Sequence, residues 1–123
     1  MNSNQIRKQV YDALTNALGA DVPVSHFYPE SNGRFPSVSF YEAANAVNAR
    51  FGGVEMYTDI NYQIDIWALD VVEIDGIHAL VDKAMSDLGF SRTFSYDMRE
   101  PNCMHKTMRY SGIVSADGFV YQR

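Results

Sequence analysis

Few side chains in this 123-residue sequence have the types and spacing that chemistry requires. The single cysteine, Cys103, stands two residues before His105, a spacing that in a strand points both the same way and sets a thiol beside a base. No third orienting group or oxyanion-stabilising group accompanies them. The pair therefore reads as a thiol at a strand end beside a surface imidazole, and the enzyme class it would define predicts a thiol that alkylates readily at neutral pH. His26, His78 and His105 share no ligand spacing, such as one helical turn, which argues against a metal site. Asp59 and Asp65 fall on one strand face, but six residues at about 3.4 Å each hold them about 20 Å apart. Paired-carboxylate catalysis works across roughly 5 to 10 Å. Gly52-Gly53 lacks the following lysine and the strand-to-helix setting of a phosphate loop, and Gly33 stands alone. The sequence carries no enzyme signature and asks for no cofactor.

The elements that would position these residues follow from hydrophobic period. Ile6, Val10, Leu14 and Leu18, with Ala13 and Ala17, make one apolar stripe of a helix over residues 6–18, capped by Ser3 or Asn4 and closed by Gly19. A short strand is expected from Val24 to Tyr28, then a turn-rich break from Pro29 to Pro36, then a half-buried strand from Ser37 to Glu42. From Thr58 to Leu69 the alternation is sustained. Ile60, Tyr62, Ile64, Ile66 and Ala68 take one face, and Asp59, Asn61, Gln63, Asp65 and Trp67 the other, as in a long strand covered on one side. Asp70-Val71-Val72-Glu73 has the spacing of a capping box and opens a second helix, with Ile74, Ile77, Val81, Ala84, Met85 and Leu88 as its buried stripe and Gly89 as its stop. A strand from Phe90 to Phe94, a polar loop from Ser95 to Asn102, a long strand from Cys103 to Ser115 and a hairpin return over Phe119-Val120-Tyr121 complete the chain. The segment from Ala43 to Tyr57 is either a long connection that docks through Arg50, Phe51 and Val54, or a hairpin whose strands extend further than the alternation alone marks.

The order α-β-β-β-α-β-β-β, with two amphipathic helices, predicts an α+β fold: an antiparallel β-sheet with both helices packed on one face. Length and composition, 46% hydrophobic and 20% charged, predict a single domain over 1–123 with a core that needs no disulfide or metal. No apolar run approaches the ~20 residues that span a bilayer. Nothing near Met1 resembles a basic start followed by an apolar stretch, so a cytosolic, unexported product is expected. The net charge of −5 argues against dedicated nucleic-acid binding. The helix-strand-strand-strand-helix order of residues 4–88 is similar to a double-stranded-RNA-binding domain, but the first turn of the second helix carries Asp70, Glu73 and Asp75, the wrong sign for phosphates. Charge is uneven: residues 1–90 hold five basic and twelve acidic side chains, residues 91–123 five and three. Such a split is either solvated scatter or a basic surface of one copy meeting an acidic surface of another.

Three stretches resemble a known family. They are Arg34-Phe35-Pro36-Ser37-Val38-Ser39-Phe40-Tyr41-Glu42, the strand from Tyr57 to Ala68 ending in Trp67-Ala68, and Leu88-Gly89-Phe90-Ser91-Arg92-Thr93-Phe94 followed by the strand through Met108-Arg109-Tyr110. These patterns, spread over nearly the whole chain, resemble the small tail-completion proteins of long-tailed bacteriophages and prophages, similar in plan to the tail terminators that cap the tail tube. The resemblance implies a non-enzymatic structural protein with helices on an antiparallel sheet, assembled as a closed ring, commonly a hexamer, at the head-proximal end of the virion tail. It implies three partners: other copies of itself, the tail tube protein and the head-tail connector. Assembly would take place in the host bacterial cytoplasm. DNA would pass through the lumen without specific recognition, and no membrane would be involved.

A ring needs one surface patch to meet a different patch on the neighbour. The expected contacts are Asp59, Gln63, Asp65 and Trp67 on one side and Arg92, Arg99 and Arg109 on the other, with Arg50 and Phe51 on the Ala43–Gly53 segment touching the tube or the neighbour. The sheet face bearing Trp67, His105, Thr107 and Arg109 is expected to be exposed, the alternative for Trp67 being burial under a loop. A competing reading makes this a small ligand-binding or regulatory α+β domain, with its pocket around Trp67, Tyr41 and His105.

Overall fold

In the computed structural model, which describes residues 3–26 and 35–121, the N-terminal stripe becomes helix α1 (Ser3–Leu18), with Ile6, Val10 and Leu14 sealed from solvent. Gly19 ends it with φ +77, a left-handed turn that lets its N–H donate to the Thr15 carbonyl at 3.1 Å. The side chains of Ser3 and Asn4, expected to cap its start, lie outside the described residues. Helix α2 (Val71–Leu88) begins as its capping spacing predicts: the Asp70 carboxylate accepts from the Glu73 N–H at 2.8 Å. The Glu73 carboxylate reaches back one residue further than a capping box requires, accepting from the Leu69 N–H at 3.5 Å. Ile74, Ile77, Val81, Ala84 and Met85 are its buried face, and Gly89, at φ +106, closes it.

The strands are β1 (Val24–His26), β2 (Ser37–Phe51), β3 (Val54–Ala68), β4 (Ser91–Arg99), β5 (Met104–Ser115) and β6 (Val120–Tyr121). They form one sheet in the order β1-β2-β3-β5-β4, with β6 paired to β5 beyond the start of β4. Both helices pack on one face, and a single apolar cluster fills the space between, built from Ile6, Val10 and Leu14, from Ile74, Val81 and Met85, and from the sheet residues Phe40, Tyr62, Ile64, Met108 and Tyr110. This is the expected α+β architecture. One strand departs from an all-antiparallel sheet: β1 runs parallel to β2, Val24 opposite Val38. Alternation identifies a strand and is blind to its direction, so three residues could not have disclosed this. Most of the turn-rich segment expected at Pro29 to Pro36 falls in 27–34, outside the described residues.

Two further boundaries move. The segment from Ala43 to Tyr57 is paired strand almost throughout: β2 and β3 continue as a hairpin to Phe51 opposite Val54, and Gly52 and Gly53 turn the chain at φ +59 and +82. Positive φ at both central positions is the geometry that matches a two-residue turn to twisted strands, and glycine adopts it without strain. Three register shifts in β2 and its run of alanines hid the period. Because β5 follows β3 only as far as Tyr57 opposite Ser115, the distal hairpin projects past the sheet as a two-stranded arm. Strand β4 likewise begins one residue later and runs through the expected polar loop to Arg99, while Phe90 turns into the core. The Phe90 ring lies edge-on to Tyr62 at 5.8 Å and over Gly112, where a Cβ would sit 2.7 Å from its Cδ1.

Candidate functional site

The sheet has a second face, turned away from the helices, and the register fixes what it holds. Three rows cross it: Ser37, Trp67, His105 and Met98; Ser39, Asp65, Thr107 and Tyr96; Tyr41, Gln63, Arg109 and Phe94. Each row takes one residue from β2, β3, β5 and β4 in turn, so residues up to 61 positions apart in sequence, Ser37 to Met98, become neighbours across one surface.

A connected polar network runs through these rows. His105 directs Nε2 to Asp65 Oδ1 at 2.8 Å and Nδ1 to Glu100 Oε1 at 2.9 Å. Gln63 donates from Nε2 to Asp65 Oδ2 at 3.2 Å, and Arg109 donates from Nη2 to Gln63 Oε1 at 2.8 Å. The Arg109 guanidinium also lies 5.3 Å from the centre of the Phe94 ring, which stacks on Tyr96 at 5.7 Å. At the other end the Trp67 indole lies flat on the His105 ring, centroids 4.4 Å apart and planes 15° apart. A carboxylate only accepts, so the ring satisfies both partners only when both its nitrogens carry protons. Burial opposes that charge, but the hydrogen bonds that the imidazole donates to Asp65 and Glu100, and then their charges, outweigh it, and the imidazole pKa is raised. The indole face adds a favourable contact with the cation.

The network corrects the expected picture of this face. Asp65 is only 5% exposed, and His105 and Thr107 are buried with it: the Trp67 indole covers the His105 ring, and Tyr96 stands beside Thr107 on the neighbouring strand. Trp67 lies half-buried on the face itself, not in the core under a loop. Gln63, Asp65, Trp67 and Arg109 share this face, as alternation predicts, but Arg109, expected to meet the acidic group across a contact between copies, lies within it: Gln63, Asp65 and Arg109 bond to one another or to His105 in the same chain. Asp59 shares the face further toward the hairpin, opposite Ala46 and Ile113. Arg92 and Arg99 do not join them: they point to the helix side of β4, where Arg92 Nε lies 3.2 Å from Asp82 Oδ1. Arg50 is on the arm, its Nη1 donating to the Gly53 carbonyl at 3.4 Å, and the side chain of Phe51 lies outside the described residues.

The contributions that sequence reasoning missed are Glu100 and the ladder Phe94, Tyr96 and Met98, all assigned to a loop or to its border. Their every-second-residue spacing was the available signal. The hydroxyls of Ser37, Ser39, Thr107 and Ser111 are buried on the same face with no hydrogen-bond partner among the described residues. The floor of this face is thus polar and incompletely satisfied, its edge aromatic and exposed.

Cys103 and His105 do not form a nucleophile–base pair. Both imidazole nitrogens serve carboxylates, and burial, followed by the charge of Glu100, pushes the Cys103 thiol up, away from the reactive thiolate. Among the described residues no cluster of His, Cys, Asp and Glu is arranged to hold a metal ion, and no helix is long and apolar enough to cross a membrane. Clefts open elsewhere: one between α2 and the β4–β5 sheet around Asp82, Arg92 and Tyr110, one between the helices around Ala17, Leu80 and Ala84, and one beside Cys103. Compared with models of known families and with curated proteins, the chain matches none.

Proposed function

We propose that this protein is a non-enzymatic structural subunit of a long-tailed bacteriophage or prophage, a tail-completion protein that caps the tail tube as a ring and offers a docking surface to the head-tail connector. The reading begins from the resemblance in sequence and is supported most by one observation: the outer edge of the sheet exposes Phe94, Tyr96 and Met98 in a row, a contiguous aromatic and apolar ladder of a kind that monomeric proteins cover. The projecting β2–β3 arm supports it too, since a two-stranded ribbon is marginal by itself in water and gains from resting on a neighbour or a tube. Its working place would be the head-proximal end of the tail, reached after assembly in the bacterial cytoplasm. DNA would traverse the ring without being read, which an acidic protein favours by repelling phosphate.

Deleting the protein from the phage tests the reading. Micrographs should show tube ends without a cap, tails of unregulated length and heads left unjoined, all restored by supplying the protein in trans. Tails of normal length joined to heads in the deletion would refute it.

A further inference from the structure

Residues 100–103 join β4 to β5 without regular structure. Among the described residues, the one hydrogen bond that holds this connection runs between His105 Nδ1 and Glu100 Oε1, at 2.9 Å. A cleft of about 380 Å³ opens at the same place, with Met98, Arg99, Glu100 and Cys103 among its lining residues. Glu100 is therefore both the tether of the connection and a wall of the cleft. The imidazole that holds it is gripped from the other side by Asp65. The two carboxylates differ in their access to water: the Asp65 side chain is 7% exposed and that of Glu100 35%.

Strand β3 presents to His105 the Asp65 carboxylate and the Trp67 indole, β4 presents Met98 and, past its end, Glu100, and β5 itself places Cys103 two residues earlier. Ser37 on β2 comes next in the row after Trp67, and the Tyr96 phenol stands one row along. The cations at neighbouring positions of β5 are engaged elsewhere, Lys106 by Asp75 and Asp97 and Arg109 by Gln63, and Arg99 lies on the helix side of β4. Two carboxylates thus share one imidazolium. A neutral ring has one N–H and one bare nitrogen, and the lone pair of that nitrogen repels a carboxylate. The bond that survives is the one whose loss costs more. Asp65, nearly sealed from water, would be left without its partner, whereas Glu100 can turn outward and be hydrated.

We infer that His105 is a pH-operated clasp on the β4–β5 connection. With both nitrogens protonated it holds Glu100 and keeps the connection against the sheet. When the Nδ1 proton passes to solvent, the ring keeps Asp65 and releases Glu100, and the connection swings out, widening the cleft and uncovering the Cys103 thiol. Against burial, the bonds to the two carboxylates raise the imidazole pKa, so the clasp opens as pH rises through a value above the ordinary 6.5. The device belongs to the single chain and does not rest on the tail reading.

Trp67, the sole tryptophan, reports the ring directly, because a protonated imidazole quenches the fluorescence of an indole stacked on it. Its emission should rise in one step as pH is raised from about 5 to about 9. Over the same step the reaction of Cys103 with iodoacetamide, expressed per thiolate from ultraviolet absorbance, should quicken roughly tenfold, the factor that losing one charge-assisted hydrogen bond implies. Two variants at the partly exposed Glu100 distinguish a clasp from general loosening. Glu100→Gln should stay slow throughout, since an amide accepts from the N–H and, turned over, donates to the bare nitrogen; its Trp67 step should move to lower pH because one carboxylate charge is gone. Glu100→Ala should react fast at every pH. Circular dichroism should show both variants folded as the parent is.

A parent whose Cys103 reacts equally fast on both sides of the Trp67 step, a Glu100→Gln chain that quickens as the parent does, or a Glu100→Ala chain as slow as the closed parent would overturn the inference. Trp67 emission without a step between those limits would do the same.

Discussion

His105 shows how much one residue can organise. It joins Asp65 on β3 to Glu100 beyond β4 and forms the floor on which Trp67 lies. Replacing it by Gln removes the charge and at least one donor, leaving a carboxylate that is nearly buried without its partner; a loss of about 3 kcal/mol is expected, read by urea denaturation near pH 6. The cost should depend on pH. With the folded-state pKa raised above the ordinary 6.5, the native state binds the proton more tightly than the unfolded state does. The stabilisation is therefore complete below about pH 6.5 and is lost as pH rises through the raised value. The gap between parent and His105→Gln should narrow over that interval, and a gap constant with pH would contradict the charged, doubly bonded imidazole. Gly112 illustrates the opposite kind of constraint, space alone. A Cβ there would sit 2.7 and 2.9 Å from the Phe90 ring and 3.0 Å from Val120 Cγ1. Gly112→Ala should cost about 1–3 kcal/mol and lower the melting temperature without altering the outer face.

Among the elements, α2 carries the most responsibility, because it covers the sheet. Its start depends on the Asp70 cap, and Asp70→Ala should destabilise the protein by about 1 kcal/mol in thermal unfolding. A change within experimental error would mean that packing of Ile74 and Ile77 alone fixes where the helix begins. Its polar side is fastened as well: Asp82 accepts from the Tyr110 hydroxyl at 2.5 Å and pairs with Arg92, while Asp75 pairs with Lys106 at 3.3 Å. Asp82 therefore belongs to a half-buried junction between α2, β4 and β5. Burial, followed by the bond to Asp82, raises the Tyr110 pKa strongly, so this hydroxyl stays protonated and keeps donating. Strands β2 and β3 contribute reach: beyond Tyr57 they leave the sheet and become the arm.

In the whole molecule, the division between an acidic body and a basic tail of the chain is resolved largely inside one copy. Lys106 serves Asp75 and Asp97, Arg92 serves Asp82, and Arg109 is held by Gln63, while Arg99 is exposed on the helix side of β4. The sequence alone determined both helices and their stops, the Asp70 cap of α2, the long β3 strand and the apolar residues of the core, because these depend on periods of about 3.6 and 2 and on neighbours a few residues away. It also set Gln63, Asp65 and Trp67 on one face, since alternation along a single strand is a local property. Only the tertiary structure decided that β1 runs parallel, that the alanine-rich segment is a strand, and that Glu100, His105 and Asp65 meet. Those outcomes depend on register between strands distant in sequence, and a one-residue slip in that register would send every side chain of a strand to the other face.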